Sequence, residues 1–342
     1  MPRRLVCVAP EELAWQSYEA PALVGDQVRV QVEHAAAKHG TEMAFYTGYG
    51  LARGTYDDEY QLFRHEPPAD PYPIRVGNML VGRVVERGPD VQELQVGDRV
   101  CVYGGFSDMA VAPEARCWSM PEEMPWQNAV CLDPAGFAVG AVRDGDIRLG
   151  DAVAVFGMGA IGLLVVQALK LAGATPIIAV EPLASRRALA ESLGADLTLD
   201  PTVTDVGLAI KVATGKRGAD VCIEYSGARA ALQGALRGVA YGGTVVMGAF
   251  PPPYSAGLDL GGEAHHNIPR IVFTRSCSQP DRDHPRWDEP RIHTLCWELL
   301  KTGRLSGVAI IQPIVPFDDL LHEYPKIAAQ PQEYIKLGVR VG

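Results

Sequence analysis

The stretch Asp151-Ala152-Val153-Ala154-Val155-Phe156-Gly157-Met158-Gly159-Ala160-Ile161-Gly162 decides the fold. An apolar run of strand length meets glycines spaced Gly-x-Gly-x-x-Gly, and a segment of helical periodicity continues to Ala172. A second apolar run, Ile177-Ile178-Ala179-Val180, ends on the acid Glu181. Strand, glycine turn, helix, strand and carboxylate in this order are the layout of a dinucleotide-binding βαβ unit. Gly157 permits the tight turn, Gly159 has no side chain to hold a pyrophosphate off the backbone, and Gly162 lets the helix pack closely. The helix that opens at Ala160 and Ile161 directs free N–H groups at the phosphates. Glu181 can accept hydrogen bonds from both hydroxyls of the adenosine ribose. Its charge repels a 2′-phosphate, so NAD is expected rather than NADP. Arg186 and Arg187, just beyond, are the counter-signal; they are expected on the next helix, at the adenine rim.

Downstream, helix and strand alternate. Helices are expected at 185–193 and 228–239, and strands at 220–225, 243–250 and 271–276, which together make a parallel, doubly wound sheet. Ser226-Gly227 closes one strand and is expected beside the nicotinamide ribose. Upstream, residues 1–126 are rich in strands and turns. Val28-Arg29-Val30-Gln31-Val32-Glu33 alternates with period two, and Gly82–Gly88 and Asp98–Tyr103 read as strands between glycine turns. Between them, 48–77 is long and irregular, as lids and binding loops are. The tail predicts helices at 289–302 and 317–329 and a last strand at 335–341 that folds back on the N-terminal part. The expected domains are therefore 1–126 with 279–342, and 127–278.

The bulk composition excludes several classes. The chain has 342 residues, 31 basic and 41 acidic, for a net charge of −10. Without a block of Lys and Arg, no nucleic-acid partner is expected. No apolar segment reaches membrane-spanning length, so no membrane partner is expected either. Arg3-Arg4 precedes an apolar run too short for an export signal. The seven cysteines, at 7, 101, 117, 131, 222, 277 and 296, form no Cys-x-x-Cys pair. They read as reduced thiols of a cytoplasmic protein.

These residues resemble the medium-chain dehydrogenase/reductase superfamily, the zinc-type alcohol dehydrogenase-like proteins. The likeness rests on Gly40-Thr41-Glu42, on Gly82 to Gly88 followed by Val96-Gly97-Asp98-Arg99-Val100, and on the dinucleotide unit. Arg187, Leu193-Gly194-Ala195-Asp196 and Lys336-Leu337-Gly338-Val339 extend it. The resemblance implies an α/β protein with a GroES-like, β-rich catalytic domain and a Rossmann domain, with Lys336 at the cofactor, and a homodimer or homotetramer. The departures matter as much. Where zinc members carry Cys this chain has His39, and where they carry Gly-His-Glu it has Gly77-Asn78-Met79. Asp133-Pro134 matches a Glu-Pro pair of the polyol-dehydrogenase branch. The structural-zinc lobe is missing, since Tyr103-Gly104-Gly105-Phe106 runs into the next strand. The chain looks most like the zinc-independent branch with the pattern Gly-Thr-Glu, and no metal is expected at either site. A zinc reading through His39, Glu42 and Asp133 stands as the alternative.

Oxidising an alcohol without zinc requires a side chain to take the hydroxyl proton, a contribution of roughly 10²–10⁴-fold. Lys38, His39 and Glu42 cluster on one segment, Asn78 can orient a hydroxyl, and Asp133 can fix the tautomer of His39. The expected base is His39, backed by Asp133 or helped by Lys38. Each has a bland reading beside it: His39 bonded structurally to backbone, Glu42 capping a helix that starts near Met43, Asp133 opening the helix between domains. His265-His266 has only Glu263 as a companion at ligand spacing, so no metal is expected there. Tyr46, Tyr49, Tyr60 and His65 are the expected substrate contacts, since flat rings among hydrogen-bonding groups suit a polyhydroxylated small molecule. The leading expectation is NAD-dependent, metal-free hydride transfer from a secondary alcohol such as a sugar, cyclitol or polyol. An NADPH-dependent quinone or enone reductase and a non-catalytic NAD-binding protein are the alternatives.

Overall fold

The computed structural model describes residues 1–66, 70–275, 278 and 281–342. Cys277, the end of the expected strand at Ser276 and the expected boundary at 279 lie outside the described residues. The chain divides into two compact units, Met1–Val130 with Ile310–Gly342, and Cys131–Ala309.

The first unit opens with β1 (Arg3–Ala9), β2 (Glu12–Ser17), β3 (Gln27–Ala36) and α1 (His39–Tyr46). A small hairpin of β4 (Thr55–Asp57) and β5 (Leu62–Arg64) follows, then β6 (Ile74–Arg75), β7 (Met79–Arg87), β8 (Arg99–Tyr103), β9 (Met109–Pro113), β10 (Cys117–Ser119) and α2 (Trp126–Ala129). The second unit holds α3 (Leu132–Asp144), β11 (Val153–Phe156), α4 (Ala160–Ala172), β12 (Ile177–Val180), α5 (Ala184–Leu193), β13 (Leu197–Leu199) and α6 (Val206–Ala213). It continues with β14 (Ala219–Glu224), α7 (Arg229–Gly238), β15 (Val239–Met247), α8 (Glu263–Asn267), β16 (Arg270–Phe273) and α9 (Glu289–Lys301). The chain then returns to the first unit through β17 (Ile311–Pro316), α10 (Leu320–Glu323), α11 (Lys326–Ala329) and β18 (Lys336–Arg340).

In the first unit the main sheet runs β10-β8-β7-β3-β18-β17, with β9 also on β3. The tail returns because β18 pairs antiparallel with β3, Gly338 opposite Ala36. On β3 the period-two pattern buries Val28, Val30 and Val32 and exposes Gln31. Arg29 breaks the pattern: it is buried, and its Nε donates to Glu86 at 2.6 Å. The expected helix over 317–329 is interrupted at Pro325, which precedes α11, so only short turns form. The 48–77 stretch is not wholly irregular, since Tyr56 and Phe63 pair across β4 and β5.

The second unit is a six-stranded parallel sheet, β13-β12-β11-β14-β15-β16. Its strands β11 and β12 are apolar on both faces, as covered parallel strands are, and are buried at every residue. Helix α3 packs on α4 and on α9. That packing keeps α9 with the second unit, so the return to the first unit comes at Ile310 and not near 279.

Candidate active site

In the second unit the glycine turn has the geometry expected of it. Gly157 has φ +92°, and a Cβ there would meet Ser226 Cα at 2.8 Å. A Cβ on Gly162 would lie 1.9 Å from the Gly157 carbonyl oxygen, so only glycine lets α4 start this close to the turn. A Cβ on Gly159 would meet nothing within 4 Å, which leaves open space over the N-terminal N–H groups of α4 at Ala160 and Ile161. That space and those donors fit a pyrophosphate.

Glu181 follows β12 and is 4 % exposed. Its Oε2 accepts the Met158 N–H at 2.7 Å and its Oε1 the Leu183 N–H at 3.2 Å. The carboxylate is thus locked to the glycine turn. Each oxygen keeps a second lone-pair direction for a ribose hydroxyl. Arg187, one half of the counter-signal, is committed elsewhere: its Nη1 donates to the Glu181 and Pro182 carbonyls at 2.7 Å and pairs with Asp200 at 3.1 Å. Arg186 is on α5; burial depresses its guanidinium, and Glu181 works in the opposite direction.

Ser226 follows β14 in a tight turn. Its hydroxyl donates to Glu224 and accepts the Ala228 N–H at 3.1 Å, which closes the turn and leaves one lone pair. Glu224, which sequence reasoning passed over, is wholly buried and also collects the N–H groups of Ser226 at 2.6 Å and Gly227 at 3.0 Å. Burial raises its carboxyl, and these donors oppose the rise. The Glu-Tyr-Ser-Gly run at the strand end was the available signal. Asp133 is in the first turn of α3 and is buried. Its unit is not that of His39, and a pairing of the two stays a proposal.

In the first unit the C-terminal strand grips the segment that enters α1. The Ala37 N–H donates to the Leu337 carbonyl at 3.0 Å, the Leu337 N–H donates to His39 Nε2 at 2.8 Å, and Lys336 Nζ donates to the Ala37 carbonyl. His39 Nε2 therefore acts as an acceptor, which puts the ring proton on Nδ1. This opposes the expectation of His39 as base, because a proton taken at Nε2 would cost the Leu337 bond. Lys336 is buried against Ala37, so within its unit it secures the 37–39 segment.

Glu42 acts as the anchor of α1. The helix begins at His39, earlier than the expected start near Met43. The Glu42 carboxylate accepts the Lys38 N–H at 2.5 Å, the Gly77 N–H and the Tyr324 hydroxyl at 2.8 Å. Burial pushes this carboxyl up, and the donors, with Lys336, hold it down. Glu42 therefore lies inside α1 and does not cap it; it ties the N-terminal end of the helix to Lys38, Gly77 and Tyr324. Asn78 follows directly, and its Nδ2 is buried with no hydrogen-bond partner. An orphan buried donor at this place suits a substrate oxygen.

Tyr46 is a correction: it is 3 % exposed, its hydroxyl donates to the Glu11 carbonyl, and its ring meets Tyr324 edge-on at 5.2 Å. It belongs to the core. Tyr49 is half-buried, and His65 and Tyr60 are exposed, with the Arg64 guanidinium 4.9 Å from the Tyr60 ring. His39 Nε2 accepts the Leu337 N–H, and Asn78 and Met79 stand where the zinc members that the sequence resembles carry His and Glu. Among the described residues no group of three or more His, Cys, Asp or Glu is placed to hold a metal.

Two family models match the chain, an alcohol dehydrogenase GroES-like domain over residues 24–144 and a zinc-binding dehydrogenase domain over 160–274. D-guloside 3-dehydrogenase of Escherichia coli K12 is 44 % identical over 98 % of this chain and 99 % of its own. (R,R)-butanediol dehydrogenase of Bacillus subtilis is 30 % identical over 78 % of this chain and 81 % of its own. Among solved structures, 2R,3R-butanediol dehydrogenase from Bacillus subtilis superposes with a TM-score of 0.79 at 26 % identity, covering 99 % of both chains. An Escherichia coli oxidoreductase of unknown specificity superposes at 0.83 with 20 % identity, over 100 % of this chain and 99 % of the other, a likeness of fold.

Proposed function

The chain belongs to the medium-chain dehydrogenase/reductase family of zinc-type alcohol dehydrogenase-like proteins, and from that premise we propose that it oxidises a secondary hydroxyl of a sugar glycoside or related polyol with NAD, without a catalytic metal. The observation that carries the substrate class is the 44 % identity, over nearly the full length of both chains, to an enzyme named for dehydrogenation at position 3 of a guloside. The choice of NAD rests on Glu181 at the end of β12 and on the commitment of Arg187 to backbone and Asp200.

A secondary alcohol becomes a ketone by losing a hydride from carbon and a proton from oxygen. The dinucleotide, when bound, supplies the hydride acceptor. Gly159 and the start of α4 hold its phosphates, and Glu181 its ribose. Asn78 Nδ2 donates to the substrate oxygen. The hydroxyl proton passes to the Lys38 amine, because the accepting nitrogen of the neighbouring His39 is held by Leu337. His39 positions the segment and presents Nδ1–H, which Asp133 is suited to accept. Tyr49, Tyr60 and His65 remain the proposed substrate contacts.

Among the described residues none of the six cysteines is in a disulfide, in keeping with the proposed reducing, cytoplasmic setting. No helix of the described residues is long and apolar enough to cross a membrane. A homodimer or homotetramer is proposed from the family, and sedimentation decides it. The function is tested by following NADH formation over a panel of alkyl glycosides, free sugars and cyclitols. The proposal expects turnover with glycosides and a preference for NAD over NADP of at least tenfold. Turnover confined to quinones or enones with NADPH would contradict it.

A further inference from the structure

A cavity of about 440 Å³ opens in the first unit beside β1, β2 and the turn at Gly104-Gly105. None of Lys38, His39, Glu42 and Asn78 lines it. Its charge is opposite to that of the molecule. The chain carries a net −10, yet Arg4, Arg29 and Arg75 line this cavity against Glu19 alone.

Each guanidinium is held differently. Arg4 Nε donates to the neutral Gln16 side chain at 2.8 Å, and its guanidinium lies 5.1 Å from the Tyr18 ring. Arg75 is exposed on β6. Among the described residues neither Arg4 nor Arg75 forms an ion pair. Arg29 is neutralised on one side, by Glu86 at 2.6 Å and the Pro21 carbonyl at 2.9 Å, while its Nη1 is buried with no acceptor.

Tyr18, whose ring carries the Arg4 guanidinium, donates its hydroxyl to the Met109 carbonyl at 2.5 Å. Burial raises the Tyr18 hydroxyl and Asp108 adds to the rise, while Arg4, Arg75 and Arg29 oppose it. Asp108 itself faces the Arg3 N–H, at 3.1 and 3.2 Å from its two oxygens. The turn that shapes the cavity requires its glycines: a Cβ on Gly104 would press on Leu80 at 2.6 Å, and one on Gly105 would meet the Val76 carbonyl at 2.8 Å. Tyr103, at the start of the turn, leaves 39 % of its surface exposed and lines the same cavity.

Like charges gathered at one place repel, and the guanidinium fork is the side chain best matched to phosphate and carboxylate oxygens. The volume is that of a small-molecule site. We propose that this cavity binds a small oxyanion, a phosphate or carboxylate group held by Arg4 and Arg75 with Arg29 behind them, on a molecule whose flat or apolar part rests on Tyr103. The site is independent of the dehydrogenase reading, since no residue assigned to hydride or proton transfer lines it.

The test titrates inorganic phosphate, and separately malonate, into the full chain saturated with NADH at fixed ionic strength, read by calorimetry. Saturation with NADH keeps the anions from the pyrophosphate position over α4. Saturable binding is expected for at least one anion, and which of the two binds tells phosphate from carboxylate recognition. The variant carrying both Arg4→Gln and Arg75→Gln should weaken it at least tenfold. Arg75→Gln alone, at an exposed position, should weaken it at least threefold and serves if the pair disturbs folding. Arg148→Gln, on the surface of the second unit, should leave it unchanged. Absence of saturable binding for both anions, or equal affinity in the Arg4 and Arg75 variants, would overturn the proposal.

Discussion

At the scale of single residues, the account separates groups that hold geometry from groups that move charge. Lys38→Met should lower kcat by at least 10²-fold with little change in the KM for NAD, and added small primary amines should restore part of the rate. His39→Ala should cost less in kcat. Rates that fall equally with His39→Ala and stay intact with Lys38→Met would return the base to His39. Glu181→Ala should raise the KM for NAD at least tenfold and move the NADP:NAD preference toward NADP by a similar factor; steady-state rates with both coenzymes check this. Tyr324→Phe removes a hydroxyl that donates to Glu42 at 2.8 Å. It should cost about 2 kcal/mol of stability, as a hydrogen bond to a buried charged group does, and denaturant titration reads it. The glycine turn after β11 and the acid after β12 were legible because a glycine spacing next to a strand has few physical meanings. The partners of His39 and Glu42 were not legible: Leu337 and Tyr324 lie nearly three hundred positions along the chain, and no local pattern announces a hydrogen bond of that span.

At the scale of elements, apolar periodicity set the parallel sheet and α4 almost to the residue. It failed where a single side chain overrides the pattern. The 317–329 segment has a helical spacing but contains Pro325, and the alternation of β3 is interrupted by Arg29, buried through its pair with Glu86. The hairpin of β4 and β5 escaped notice because three-residue strands carry too little alternation to be read. Strand β3 also carries a pH dependence. His34 stacks on Trp126 at 4.5 Å, and burial, with Arg99 and Arg340, lowers its pKa from 6.5 to about 4. Its proton is therefore bound more readily in the unfolded chain. The stability that neutral His34 contributes is complete above pH 6.5 and is lost as pH falls toward 4, by about 2 kcal/mol. Thermal melts across that window should show the loss, and His34→Gln should flatten it. The carboxylate at the end of α10 behaves likewise at lower pH. Lys326, Tyr334 and His322 hold Glu323 at about 2. Its contribution is present above 4.5 and is lost below, and Tyr334→Phe should reduce it by about 1 kcal/mol at neutral pH.

At the scale of the whole molecule, the order of strand-rich, alternating and returning segments was visible in composition alone. The place of the return was not. Helix α9 has an amphipathic pattern that says it packs on something, and only the structure shows that its partner is α3. The family relation gives the class of reaction, while Asn78 and Met79 in place of the expected zinc ligands and the engagement of His39 Nε2 by Leu337 support the proposal of a metal-free reaction. The most direct measurement of that claim is glycoside oxidation with NAD by protein purified, dialysed against a strong chelator and analysed for bound metal. The account predicts less than a tenth of an equivalent of zinc and an unchanged rate of NADH formation. Activity that disappears with the chelator and returns with one equivalent of zinc would contradict it.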